Sequence, residues 1–298
     1  MLIFLQGPLL GIIAAVLWSL NTVFWFCLFF IVAVFKLILP IKSVRNVSRR
    51  TLAAIASYWM YINTSMINRF IGIQWEVNSN IKLDRQQWYL IIANHQSWTD
   101  IVALCQVFNT KVPLFKFFLK KELIYVPFLG FTWWALEYPF IHRYSKKELT
   151  KKPYLREKNL ETTMEACEKS KQVPSTIMNF IEGTRFTQFK CQLQNSPYQY
   201  LLKPKAGGIA YTLQAMREKI TTILDVTIIY PNRYKSFWDL LCGRIRKVKI
   251  YVRGLKVTAD LLGDYQHDKQ FRIYFQNYLN KIWADKDRLI EETLKYSG

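Results

Sequence analysis

The chain opens on an apolar stretch that carries no charge. Residues 1–35 contain no Lys, Arg, Asp or Glu. From residue 9 the run exceeds the roughly 20 apolar residues that cross a hydrocarbon core. A signal peptide is the competing interpretation, but its apolar region of about 7 to 15 residues normally ends at a small-residue cleavage site, and none follows here. The pattern therefore predicts a retained transmembrane helix.

Basic residues come directly after this helix. Residues 36–50 contain no acid and five cationic side chains: Lys36, Lys42, Arg45, Arg49 and Arg50. By the positive-inside rule, such a segment stays in the cytoplasm together with the chain that follows it. Residues 1–50 are thus predicted to be a membrane anchor with a basic juxtamembrane segment.

A second apolar stretch covers residues 51–75, where Arg69 is the only charged residue. Four polar residues interrupt it: Asn63, Thr64, Ser65 and Asn68. The stretch could span the membrane, but these interruptions favour a helix that lies in the interface or packs on the rest of the protein.

From residue 76 the pattern becomes that of a globular domain. Short apolar or alternating runs predict strands at 88–93, 175–181, 221–230 and 247–253. Between and after them, helical spacing predicts helices at 98–108, 209–217 and 267–296, the last one long and amphipathic. This alternation indicates an α/β fold for residues 76–298.

The net charge of +20 changes the picture less than its size suggests. The basic excess is spread along the whole chain and forms no separate arm, so we expect no nucleic-acid partner. It suits anionic lipid, where each nearby Lys or Arg contributes about 1 kcal/mol. The five cysteines lie far apart without a Cys-x-x-Cys pair, so we expect reduced and mostly buried thiols.

The most informative segment is residues 94–100, at the end of the first globular strand. It places His95 on a strand-to-helix turn with Asp100 five residues later. A carboxylate within reach of the second ring nitrogen orients a histidine and stabilises its imidazolium, as in hydrolase triads. The spacing from Ser97 to Asp100 is equally that of a helix capping box, which would leave His95 as an ordinary turn residue.

A second polar cluster, Glu-Gly-Thr-Arg at residues 182–185, also follows an apolar strand. Residues 203–208 add two lysines and two glycines, so that backbone and side-chain donors could converge on an anion. Taken alone, the cluster is equally explained by a glycine turn with solvated charges.

Together these segments resemble the glycerolipid acyltransferase superfamily, typified by 1-acylglycerol-3-phosphate acyltransferases, over essentially the whole chain. His-x4-Asp at 95–100 resembles its first motif, 182–185 its third, and 121–143 its second block. The chain departs from the family pattern at His142, where aspartate is frequent, and at residues 225–231, where a Val-Pro-Val segment is expected. It is more similar to the branch with lysocardiolipin acyltransferases and bacterial inner-membrane acyltransferases.

The resemblance implies a mixed sheet flanked by helices and direct acyl transfer. It assigns His95 as general base and Asp100 as its orienting acid. It places Arg185 on the acceptor phosphate, with further substrate-site residues: Asn94, Ser97, Trp98, Arg143, Glu182, Gly183, Thr184 and Lys205. Ser97 lies in no Gly-x-Ser-x-Gly elbow, so we expect a cap or pocket role for it.

The implied partners are acyl-CoA or acyl-carrier protein as donor, a lysophospholipid as acceptor, and membrane lipid. The implied acceptor is 1-acyl-sn-glycerol-3-phosphate, with lysocardiolipin or lysophosphatidylglycerol as alternatives. The expected location is a bacterial inner membrane, with the domain on its cytoplasmic side. We expect no cofactor, because nucleotide-binding glycine loops are absent from the sequence, and no metal, because no third ligand accompanies His95 and Asp100. Thioester hydrolysis and a non-catalytic membrane scaffold are the remaining alternatives.

Overall fold

A computed structural model describes residues 7–39, 41–126, 128–141, 151, 154–232 and 234–296. Two helices precede the sheet. Helix α1, Gly7–Ile38, is the one helix in the described residues that is long and apolar enough to cross a membrane, and little of it is buried. Helix α2, Lys42–Met66, packs beside it and runs into a π-helical turn, Ile67–Ile71. Because α2 is continuous, the segment boundary predicted at residue 50 falls inside one helix.

The centre of the fold is a six-stranded mixed sheet with the order β1-β8-β7-β2-β6-β3. Its strands are β1 (Gln74–Ser79), β2 (Trp88–Ala93), β3 (Phe115–Phe117), β6 (Thr176–Phe180), β7 (Ile220–Ile229) and β8 (Lys247–Lys256). The four strands β3, β6, β2 and β7 run parallel, whereas β8 is antiparallel to β7. This confirms the predicted α/β fold.

Helices cover both faces of this sheet. Alternate residues of β2 enter two different cores, with Ile91 on one side and Ile92 on the other, as expected of a fully buried parallel strand. The first core contains α3 (Thr99–Phe108), α8 (Phe237–Leu241) and the end of α2. The second contains α5 (Leu155–Lys171), α7 (Ala206–Ala215) and α9 (Lys269–Lys295).

Short elements complete the fold. Between β3 and β6 the chain makes a small two-stranded sheet, β4 (Leu119–Lys120) with β5 (Phe140–Ile141), around helix α4, Leu129–Ala135. Helix α6, Gln188–Leu193, follows the Glu-Gly-Thr-Arg cluster at residues 182–185. Thr187 caps its start, since the Thr187 hydroxyl accepts a hydrogen bond from the Lys190 backbone N–H. The strands and helices predicted from the sequence are confirmed, with ends that shift by a few residues.

Candidate active site

The two motifs meet because they follow neighbouring parallel strands. Ala93, at the end of β2, pairs with Phe180 of β6 on one side and with Val226 of β7 on the other. The carboxyl ends of parallel strands meet at one edge of a sheet, which is where ligands bind in open α/β sheets. Strand β7 continues beyond this level, so its end at Ile229 and the following Tyr230 also reach the edge.

His95 and Asp100 form the central pair of this edge. His95 Nδ1 lies 2.8 Å from Asp100 Oδ2. The carboxylate is fully buried, whereas the imidazole keeps 17% of its surface exposed. Because Nδ1 faces the carboxylate, Nε2 on the opposite side of the ring is the nitrogen that a substrate hydroxyl can approach. Such a pair can accept a proton at Nε2 while the carboxylate stabilises the resulting imidazolium.

Asp100 is held by donors on both of its oxygens. Oδ2 accepts the backbone N–H groups of Gln96 at 2.6 Å and Ser97 at 2.9 Å. Oδ1 accepts the hydroxyl of Tyr230 at 2.7 Å. Burial, reinforced by the nearby Asp100 charge, raises the pKa of Tyr230 well above its usual value, so this phenol stays a donor. Spacing in the sequence could not indicate this contact, because Tyr230 lies 130 residues from Asp100.

The capping-box alternative is half present. Asp100 does accept the Ser97 backbone N–H, but the Ser97 hydroxyl accepts from the N–H of Thr99 at 3.0 Å rather than from that of Asp100. The structure assigns no side-chain cap to α3. Asp100 therefore holds the turn and His95 at once, and Ser97 is buried, with its hydroxyl hydrogen-bonded inside the turn.

Asn94 fastens the turn to β7. Its side-chain amide donates to the carbonyl of Ile228 at 2.9 Å and accepts from the Ile228 N–H at 2.8 Å. The side chain is fully buried, so it prolongs the strand pairing and does not face a substrate. The amide of Gln96 reaches the same carbonyl at 3.1 Å.

The imidazole of His95 rests on an aromatic ring. Phe180 stacks on it with ring centres 3.9 Å apart and an angle of 15° between the planes. Phe117 of β3 stacks on Phe180 in turn, at 6.4 Å. The stack and the Asp100 contact together fix the position and the tilt of the ring.

Glu182 is buried and holds backbone. One carboxylate oxygen accepts the His95 N–H at 3.0 Å, and the other accepts the Leu202 N–H at 2.9 Å. Desolvation raises the pKa of Glu182 to about 7, although these two hydrogen bonds act in the opposite direction. Its geometry is that of a residue that shapes the turn before Arg185.

Gly183 and Lys205 lie against each other. Gly183 has a φ of +72°, a conformation that glycine adopts without steric cost. A Cβ at this position would come within 2.6 Å of Lys205 Nζ, so the ammonium lies over the turn. The backbone N–H of Lys205 donates to the carbonyl of Ile181 at 2.8 Å, which joins the loop before α7 to the Glu-Gly-Thr-Arg cluster at residues 182–185.

Arg185 reaches the first motif on the exposed side. Its guanidinium lies 5.6 Å from the ring centre of Trp98, and both side chains are exposed. The next residue, Phe186, donates its N–H to the carbonyl of His95 at 2.7 Å. The hydroxyl of Thr184 accepts from Lys190 at 2.8 Å. The exposed guanidinium of Arg185 therefore lies next to the turn that carries His95.

Several sequence expectations fall elsewhere. Arg143, and His142 beside it, lie outside the described residues. His267 is exposed and pairs with Asp264 at 2.8 Å, away from this edge. Four of the cysteines are free and buried, and Cys27 is free and exposed, as expected. Among the described residues, no three His, Cys, Asp or Glu side chains come together as a metal site.

A buried charge cluster lies in the middle of β7, where the sequence departs from the family pattern. Asp225 is fully buried and pairs with Lys286 of α9 at 2.7 Å and with Arg253 of β8 at 2.7 Å. Lys286 also donates to the carbonyl of Val226 at 2.5 Å. The strand thus carries an ion pair that fastens α9 to the sheet. Spacing could not indicate it, because its members come from three separate elements.

The chain is similar in sequence to known acyltransferases. A mouse (Mus musculus) 1-acyl-sn-glycerol-3-phosphate acyltransferase gamma is 26% identical over 70% of this chain and 54% of its own length. A yeast (Saccharomyces cerevisiae) 2-acyl-1-lysophosphatidylinositol acyltransferase is 24% identical over 67% of this chain and 60% of its own length. The chain therefore spans a little over half the length of these curated relatives.

A solved structure shares the fold. The crystal structure of the 1-acyl-sn-glycerophosphate acyltransferase PlsC from Thermotoga maritima superposes with a TM-score of 0.56 at 14% identity, covering 97% of this chain and 98% of its own. The model of the family described as Acyltransferase matches residues 74–234, which is more than half of the chain and contains both motifs. The chain belongs to the acyltransferase family.

Proposed function

We propose that this protein transfers a fatty acyl group from a thioester donor to the free hydroxyl of a lysophospholipid, with 1-acyl-sn-glycerol-3-phosphate as acceptor and phosphatidate as product. The observation that carries the proposal is the His95–Asp100 pair at 2.8 Å, with the exposed guanidinium of Arg185 beside the same turn. The names of the mouse and yeast relatives support a lysophospholipid acceptor.

The reaction begins at His95 Nε2, which takes the proton of the acceptor hydroxyl as its oxygen attacks the thioester carbonyl. General-base assistance of this kind contributes about 10² to 10⁴ in rate. The tetrahedral intermediate then collapses and expels the thiolate, which recovers the proton from the imidazolium. Asp100 holds the ring by its contact with Nδ1 throughout. Arg185 binds the acceptor phosphate, since its planar guanidinium can make two parallel hydrogen bonds to phosphate oxygens.

Other residues of the site have supporting roles in this proposal. Trp98 lies under the Arg185 guanidinium, and Lys205 adds a positive charge at the Gly183 turn. The remaining polar side chains hold the two turns in shape through hydrogen bonds. Asn94 bonds to the backbone of β7, Ser97 bonds to the Thr99 N–H inside its own turn, and Thr184 bonds to Lys190.

The experiment is a substrate panel. The purified chain in detergent is given lysophosphatidate, lysophosphatidylinositol, lysophosphatidylglycerol or lysocardiolipin, each with labelled acyl-CoA or acyl-carrier protein, and the products are identified by mass. We expect phosphatidate to form fastest and His95→Ala to abolish its formation. If free fatty acid is the main product, the reaction is thioester hydrolysis and not acyl transfer. If another lysolipid is acylated faster, that lysolipid is the acceptor. The name of the yeast relative makes lysophosphatidylinositol a specific alternative.

We also propose a bacterial inner-membrane location with the catalytic domain on the cytoplasmic side. The basic side chains Lys42, Arg45 and Arg50 at the start of α2 are exposed, and thioester donors are cytoplasmic molecules. A reporter enzyme that works only outside the cytoplasm, fused after α9, should stay inactive. A strong signal from it would reverse the orientation.

A further inference from the structure

Helix α4 packs on the two N-terminal helices rather than on the sheet. A small apolar cluster, separate from the two cores beside the sheet, contains Phe29 and Ala33 of α1, Leu52 of α2 and Ala135 of α4. Phe131 of α4 packs against the same cluster. The insertion between β3 and β6 is therefore attached to the predicted membrane anchor.

The helix lies along the second half of α1 and runs in the same direction. The ring of Phe128 meets Phe26 at 5.5 Å, and that of Phe131 meets Phe30 at 5.5 Å. One helical turn further, Lys36 Nζ donates to the carbonyl of Ala135 at 2.8 Å. Contacts at this spacing keep α4 beside α1 over about ten residues of α1, so both helices meet the same surroundings.

An ion cluster fixes the end of this contact. Glu137 accepts from Lys36 of α1 at 2.9 Å and from Arg49 of α2 at 2.7 Å with the same carboxylate oxygen. Glu137 stands in the turn directly after α4, so three chain segments meet at this carboxylate. The cluster holds α4 at a fixed level along α1, and this level coincides with the basic start of α2.

The outward side of α4 and of the turn before it is apolar and exposed. Tyr125 is 81% exposed and Phe128 70% exposed, and Leu129 and Trp134 are exposed beside them. Gly130 allows the 3₁₀ turn Lys121–Tyr125 to press against α4, because a Cβ at this glycine would lie 2.0 Å from the carbonyl oxygen of Ile124. Four large apolar side chains on one compact wedge form a patch of the kind that marks an interaction surface.

We propose that this wedge, residues 121–126 and 128–135, is a second membrane-contact element that lies against the lipid bilayer. Its patch continues the exposed apolar surface of α1, where Phe24, Ile31 and Phe35 are also exposed. Four cations flank the patch, Lys120 and Lys121 before it and Lys36 and Arg49 at its far end, against the two acids Glu122 and Glu137, and this excess fits anionic headgroups. Tyr and Trp are the side chains enriched at the level of the headgroups. The inference rests on the membrane association of α1 proposed above and does not depend on the reaction.

The wedge is joined to the candidate active site by aromatic contacts. Tyr138, just after α4, stacks on Phe117 at 6.5 Å and donates its hydroxyl to the carbonyl of Phe115 at 2.9 Å. Phe117 stacks on Phe180, and Phe180 stacks on His95. A wedge inserted in lipid would thus hold Phe117 and Phe180, the rings stacked under His95, at a fixed distance from the membrane that supplies the acceptor.

The test is site-directed fluorescence in vesicles of phosphatidylcholine and phosphatidylglycerol. The chain carries one environment-sensitive dye, on native Cys27 of α1, or in a Cys27→Ser background on Tyr125→Cys, Leu129→Cys or Ile273→Cys. Ile273 is the matched control, because it is 53% exposed against 52% for Leu129 and lies on α9, across the sheet. Quenching by spin-labelled lipid is compared with quenching by aqueous iodide.

We expect dyes at positions 125 and 129 to lose most of their emission to spin-labelled lipid, as the dye on Cys27 does, while the dye at 273 responds only to iodide. A response at 125 and 129 equal to that at 273 would overturn the proposal. Shielding of these dyes from both quenchers would mean that a protein surface covers the wedge, and would overturn it as well. If the Cys27 dye responds only to iodide, the proposed insertion of α1 in the membrane is wrong, and so is that of the wedge.

Discussion

Tyr230 donates its hydroxyl to Asp100 on the carboxylate oxygen that His95 does not use, at 2.7 Å. The phenol comes from the end of β7 and is fully buried, so it positions Asp100 and does not itself touch substrate. Tyr230→Phe removes one hydrogen bond to a charged group, worth about 1.5 kcal/mol or more. We expect kcat to fall by about 10-fold with the acceptor KM unchanged. Steady-state kinetics of the folded variant measure both, and an unchanged kcat would contradict the positioning role.

Ser97 and Asp100 separate the two interpretations of the first motif. Asp100→Asn keeps the size of the side chain but removes the charge that stabilises the imidazolium, so we expect a loss of about 10² to 10⁴ in kcat. Ser97→Ala removes a hydrogen bond inside the turn, at 3.0 Å from Thr99 N, and should lower stability by about 1 kcal/mol with most activity kept.

Thermal midpoints and kcat of both variants are measured together. A folded but inactive Ser97→Ala, with an acyl group trapped on the serine of the parent protein, would replace direct transfer by a covalent mechanism.

The fold was predictable where one element carries its own pattern. The continuous apolar run of β2 marked a strand buried on both faces, and the same run placed His95 at its end. The position of α4 was not predictable, because its apolar residues pack on α1 through contacts about 100 residues apart. A short helix of seven residues has too little periodicity to reveal which surface it covers.

The site was predictable only in its local part. His95 and Asp100 lie in one turn, so their spacing implied their contact. Tyr230 and Phe180 reach them through strand neighbours, which spacing cannot reveal. Glu182 stands in the expected motif, yet its burial between two backbone N–H groups became visible only when the turn and the loop at Leu202 were placed in space.

Glu182 should make stability depend on pH. Desolvation raises its folded-state pKa from 4.5 to about 7, so between these values the native state holds a proton that the unfolded chain has released. The stabilisation is fully present below pH 4.5 and is lost as pH rises through 7. At about 1.4 kcal/mol for each pH unit, the loss amounts to about 3 kcal/mol.

Denaturation in detergent at several pH values measures this slope. Glu182→Gln should abolish it, because an amide does not titrate in this range. Glu291→Gln, an exposed carboxylate on α9 paired with Lys295, is the control and should keep the slope. A slope that survives in Glu182→Gln belongs to another group.

The ion pair between Asp225 and Lys286 should behave as a coupled unit. Both side chains are fully buried. Breaking a buried ion pair typically costs about 3 to 5 kcal/mol, and Arg253, which stays paired with Asp225 at 2.7 Å, should keep the loss towards the lower end. We expect Lys286→Met to show such a loss in denaturant unfolding, and Asp225→Asn with Lys286→Met to recover part of it. Additive losses in the double variant would show that the two charges are independent.

Arg185 should recognise the phosphate of the acceptor rather than that of the donor. Its guanidinium is exposed beside Trp98, at the turn that His95 occupies. Charge-assisted hydrogen bonds contribute about 1.5 to 3 kcal/mol, so Arg185→Ala should lower kcat/KM for the lysophospholipid by roughly 10- to 150-fold. Arg185→Lys should recover only part of this, because an ammonium cannot make two parallel bonds. Each substrate is varied separately, since the donor also carries phosphate. A loss confined to donor saturation would move Arg185 to the donor site.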